Sequence, residues 1–264
     1  MEGPSATIAL ILAETAAGGT TILWLGGLWG SVKRGFFLLT AGVALGCALL
    51  AAIALSSSAG AISTAQERFA VIMVVSVCVL LGLAVAALIL RADTAARVAG
   101  WLSVPATLLM LWGLAATAAQ SSGDSEVGPL IQLVAGSAFL GAVMDGLLLG
   151  HWYLTDRRLP RDHIRRFSIV LLVAVGIEAV ALAVLGLGDG TADVGGFSVI
   201  LGVSGLTTWL ALGMVGCTAL IAFLIRASLR GESARAVQGA TGFFYLAVIT
   251  AFTAEMAAKV GFLG

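Results

Sequence analysis

The 264 residues are 60% hydrophobic and 11% charged, with a mean hydropathy of +1.08, which excludes an ordinary soluble domain and points to a bundle of spanning helices. Fourteen basic and fourteen acidic residues cancel, so no basic excess is available for nucleic acid as a partner. Cys47, Cys78 and Cys217 each stand alone in an apolar run, leaving neither a disulfide framework nor a paired-cysteine metal site readable.

A span takes about 20 mainly apolar residues. Eight such runs follow one another, over 6–29, 35–56, 69–91, 95–118, 129–153, 166–188, 197–225 and 236–260. The expected fold is an all-α membrane protein, a single polytopic domain over 1–264 with eight transmembrane helices. The opening MEGPSATIALILAE has no basic n-region, and the nearest positive charges, Lys33 and Arg34, follow the first run. That pattern reads as an uncleaved first helix inserted N-terminus outward. The joints between runs are short, so a catalytic centre with a large cofactor is expected in another chain.

Charge supports the same division independently. The odd joints hold Lys33, Arg34, Arg91, Arg97, Arg157, Arg158, Arg161, Arg165, Arg166, Arg226, Arg230 and Arg235, twelve of the fourteen basic residues. The even joints hold Glu67, Asp124, Glu126, Asp189 and Asp193, with Arg68 the only base among them. Under the positive-inside rule the odd joints face the cytoplasm, and both termini face the other side of the inner cell membrane. Leu25-Gly26-Gly27-Leu28-Trp29 before Lys33-Arg34 is echoed by Leu148-Leu149-Gly150-His151-Trp152 before Arg157-Arg158. The echo suggests two four-helix halves, 1–120 and 128–264, although glycine and tryptophan also recur near interfaces for other reasons.

Four acids fall inside spans: Glu14, Asp145, Glu178 and Glu255. An ionisable group in hydrocarbon costs at least about 2.5–3.5 kcal/mol, so it persists where it has a partner or a task. At about 1.5 Å per residue, Glu14 and Glu255 lie toward the outer side, Glu178 near the middle and Asp145 in the inner half. His151 follows Asp145 near the cytoplasmic surface. Their functional reading is a ladder for protons, or a set of groups that receive protons from a quinol as it is oxidised. The alternative is that each acid is neutral or paired and only ties helices, and Glu255 has such a partner at i+4 in Lys259. No residue is read as catalytic in its own right.

Haem is not expected, because bis-histidine ligation would need both His151 and His163, the latter in the arginine-rich joint. No metal is expected either, since the acids are scattered and no second histidine shares the membrane with His151. Arg157, Arg158, Arg161, Arg165 and Arg166 fix topology and meet the anionic headgroups of membrane lipids, or dock a cytoplasmic partner. Trp29, Trp101, Trp152 and Tyr153 read as interface anchors, and Trp112 and Trp209 lie deeper.

Three stretches carry a family resemblance: Ala13-Glu14-Thr15-Ala16-Ala17-Gly18-Gly19, Gly136-Ser137-Ala138-Phe139-Leu140-Gly141, and Phe252-Thr253-Ala254-Glu255-Met256-Ala257-Ala258-Lys259. With eight spans and both termini outward, the chain resembles the polysulfide-reductase/NrfD-type membrane subunits, the dimethyl-sulfoxide-reductase anchor among them. It departs from them at the joint SSSAGAISTAQER, where the family often has a His-Leu-Gly-type segment, and at Ala254, where the family has glycine. The resemblance implies a membrane subunit of a respiratory complex. Such a subunit passes electrons or protons between quinone and a partner's iron–sulfur or cytochrome subunit and holds no redox cofactor itself. Glu14 and Glu255 would then stand nearest an outer-side quinone pocket. A stand-alone proton-coupled transporter or channel, and a structural accessory subunit, are the competing readings.

Overall fold

The computed structural model describes residues 4–28, 30–58, 64–122, 125–156, 159–185, 206–231 and 234–263. Among these residues the chain forms eight helices: α1 (Pro4–Leu25), α2 (Arg34–Ser58), α3 (Ala65–Ile89), α4 (Asp93–Ser122), α5 (Val127–Thr155), α6 (Asp162–Leu185), α7 (Leu206–Ser228) and α8 (Ala234–Leu263). All eight are long and apolar enough to cross a membrane, and a helix satisfies every backbone polar group of its own segment, which hydrocarbon demands. This is the all-α, eight-helix membrane architecture that the apolar runs predict.

Local chemistry sets the ends. Thr64 accepts a hydrogen bond from the Glu67 amide at 3.2 Å while Glu67 accepts one from the Thr64 amide at 3.1 Å, so a reciprocal cap opens α3. Gly27 and Gly30, at φ +63° and +95°, turn the chain from α1 into α2 in a conformation that side-chain-bearing residues rarely adopt. Pro105 sits inside α4, which continues through it. The sixth run reads from 166 by apolarity, but α6 begins at Asp162. That moves His163, Arg165 and Arg166 out of the joint and into the helix, because a spanning helix extends into water beyond its apolar stretch. Arg157, Arg158, Trp29 and the start of the seventh run, 197–205, lie outside the described residues.

Helix α1 packs on α2, α2 on α3, α3 on α4, and α4 returns to α1. The last four repeat the order: α5 on α6, α6 on α7, α7 on α8, and α8 back to α5. The two groups meet mainly where α1 lies along α5. These two are the most enclosed spans, with 72% of each apolar window buried against 28% for α7. A β-carbon added to Gly18 would collide with the Ser137 carbonyl, and one added to Gly141 would collide with the Gly18 backbone. Backbones that close can only be glycine against glycine or small residue, the usual device where apolar packing gives no net drive in lipid.

The contacts along this seam pair Gly18 with Ser137 and Gly19 with Asp145, so α1 and α5 run parallel. Helix α8 runs antiparallel to α5, with Glu255 at Gly136, Phe244 at Gly146 and Thr241 at Gly150. Both chain ends therefore lie at one end of the bundle. The basic residues Lys33, Arg34, Arg91, Arg97, Arg161, Arg165, Arg166, Arg226, Arg230 and Arg235 mark the other.

Candidate functional site: a buried carboxylate–lysine cluster

The acids that look scattered in sequence converge in space. In the half of the bundle nearer the termini, Lys259 Nζ lies 2.8 Å from Glu14 Oε1 and 3.2 Å from Glu255 Oε2. The three side chains are 1%, 0% and 0% exposed. Glu255 and Lys259 are one turn apart on α8 and share a face, and Glu14 arrives from α1. Gly136 of α5 makes the room: a β-carbon there would lie 2.7 Å from Glu14 Oε1 and 2.9 Å from Glu255 Oε2. Glu178 of α6 is also buried, close enough to Glu255, Lys259 and Glu14 to interact with them electrostatically. Three helices, α1, α6 and α8, thus bring three carboxyl groups to the neighbourhood of one ammonium, and α5 leaves them room.

Two consequences follow from elementary electrostatics. Fully ionised, the cluster would carry an excess of two negative charges in a medium where unpaired charge costs several kcal/mol per ion. Binding a proton at one or more of the three carboxyls lowers that excess. The Lys259 ammonium stands between the carboxylates of Glu14 and Glu255.

Two lateral grooves flank the cluster. One, of about 820 Å³, runs between α5 and α6, and its walls include Ala135, beside Gly136, and Ile177 and Ala181, which bracket Glu178. The other, of about 470 Å³, lies between α1, α7 and α8, and its walls include Ile11, Met256, Ala257 and Val260 around the ion pair. Exposed apolar residues such as Ile177, Val180 and Met256 line them, so both grooves face the lipid.

In comparisons with protein-family models, curated proteins and solved structures, nothing matches the chain. The functional reading therefore rests on the chemistry of the site.

The remaining candidates lie elsewhere. Asp145 is buried on the α1–α5 seam with no donor to either carboxylate oxygen. His151 is exposed near the arginine-bearing end and does not join it. Arg165 and Arg166 are exposed and Arg161 half-buried at the foot of α6, where the Arg165 guanidinium donates to the Leu229 carbonyl at 3.3 Å. Lys33 pairs with Asp156 at 2.7 Å, and the Tyr153 hydroxyl donates to the Pro160 carbonyl. Trp112 and Trp209, 44% and 65% exposed, face outward rather than lining an internal cavity.

Lys259 is the residue that sequence reasoning undervalued, as a mere tie for Glu255. A signal was present: with Arg68 it is one of the two bases outside the odd joints, and a buried ammonium needs counter-charges. Its second partner comes from the opposite end of the chain, which no local spacing reveals.

Proposed function

We propose that the cluster of Glu14, Glu178, Glu255 and Lys259 takes up and passes protons, and that the chain is the quinone-interacting membrane subunit of a respiratory oxidoreductase complex in the inner cell membrane. The observation that carries this reading is the imbalance of three buried carboxyls around one ammonium. Such a group changes charge by taking up or releasing a proton, which passes between neighbouring oxygens with no large rearrangement. The two grooves supply what a lipid-soluble substrate needs: a lateral, apolar approach from the bilayer to buried acid–base groups. Redox cofactors then belong to partner iron–sulfur or cytochrome subunits, which dock against the exposed basic end or the opposite face.

A second reading, a stand-alone proton-coupled transporter, is favoured by one feature. The packing order of α1–α4 repeats in α5–α8, and many transporters are built from such parallel repeats. Mild-detergent purification from native membranes separates the two. Retained iron–sulfur or cytochrome subunits support the respiratory complex; a chain that leaves the membrane alone supports the transporter.

A further inference from the structure

A second polar layer lies toward the arginine-bearing end, between α1, α2 and α5. Its floor is aromatic. Trp24 of α1 packs on Phe37 of α2 with ring centroids 5.8 Å apart, and Phe36 of α2 packs edge-on to Trp152 of α5 at 6.4 Å. Trp152 also covers Gly35. One turn above this floor stand Thr20, at i−4 from Trp24 on α1, and Thr40, at i+4 from Phe36 on α2. Two turns above Trp152 on the same face of α5 stands Asp145, against Gly19.

These groups share an unusual state. Thr20, Thr40 and Asp145 are at most 1% exposed, and the hydroxyls of both threonines and both Asp145 oxygens have no hydrogen-bond partner. Other buried helix hydroxyls return their proton to a carbonyl one turn back, as Thr15 does to Ile11, Thr107 to Val104, Thr117 to Gly113 and Thr241 to Val237. Thr20 and Thr40 do not. Among the described residues no ion pair reaches Asp145; Glu14 lies five residues before Gly19, about 7.5 Å of helical rise. Buried polar groups left unpaired together on three touching helices mark a place for something that bonds to all of them.

We infer that Thr20, Thr40 and Asp145 form an inner site for water and a proton, sealed from the arginine-bearing surface by Trp24, Phe36, Phe37 and Trp152. Asp145 holds the proton as a neutral carboxylic acid, and the two hydroxyls bond to it through water. The site stands whether or not the outer cluster exchanges protons.

Infrared spectroscopy of the purified full-length chain tests this without quinone or a partner. Wild type shows protonated-carboxyl C=O absorption at neutral pH, one component of which is lost in Asp145→Asn and retained in Glu178→Gln. That component shifts in the shape-conserving variants Thr20→Val and Thr40→Val. Its exchange in heavy water is about tenfold faster in Trp152→Ala, which opens the floor. A wild-type spectrum without such absorption overturns the inference, and that result needs no variant to fold. So does absorption that Asp145→Asn leaves unchanged, an Asp145 component indifferent to both threonine variants, or exchange no faster in Trp152→Ala.

Discussion

Lys259 is the single side chain on which the outer cluster depends. Removing one partner of a buried ion pair strands the others, so Lys259→Met should destabilise the protein by about 3–5 kcal/mol, read as a fall in thermal midpoint in detergent. Glu14→Gln combined with Lys259→Met should cost less than the two changes summed, because the second no longer strands Glu14. Strict additivity would mean that the 2.8 Å contact between them carries no coupling. At this scale the sequence was informative about which residue types matter and silent about who meets whom. Glu14, Glu178 and Glu255 stand out because carboxyls are rare in apolar runs. Their meeting depends on α1, α6 and α8 all packing on α5, with Gly136 making room for Glu14 and Glu255, and nothing in the local pattern encodes that. Asp145 stands out for the same reason, whereas its threonine neighbours look like ordinary helix residues until their hydroxyls are followed.

Between helices, the α1–α5 seam decides the fold. Gly18→Ala drives a methyl into the Ser137 carbonyl and should destabilise by about 1–3 kcal/mol, the range for overpacking. Gly42→Ala meets open space and should be neutral or stabilising by up to about 1 kcal/mol, since alanine is the better helix former. Matched thermal melts of the two variants check this, and the same sign for both would contradict the close-packed seam. The helices themselves were legible, because apolar length fixes a span. Their ends were less so. In α6 the helix starts in the polar segment Asp162–Arg166 on the water side, which a hydropathy run cannot see. Which glycines are seam contacts is equally hidden: Gly18 and Gly42 both sit inside apolar helices, and only tertiary packing tells them apart.

For the whole molecule, the basic end and the end bearing both termini are distinct, and the positive-inside rule predicts that the basic end faces the cytoplasm. A reporter fused after Gly264 should be active only on the non-cytoplasmic side, whereas one placed in the joint after Thr155 should be active only in the cytoplasm. The carboxylate–lysine cluster lies in the half of the bundle nearer the termini, flanked by two lipid-facing grooves, and the second polar layer lies toward the basic end on the same α1–α5 seam. The most direct measurement of the central claim is quinol-driven turnover in native membranes carrying Glu178→Gln, with the amount of assembled protein measured alongside. The account predicts normal assembly and turnover lowered by about a hundredfold, the lower end of what a positioned acid–base group contributes. Assembled protein turning over at the wild-type rate would contradict it, and would leave the buried carboxyls as ties between helices.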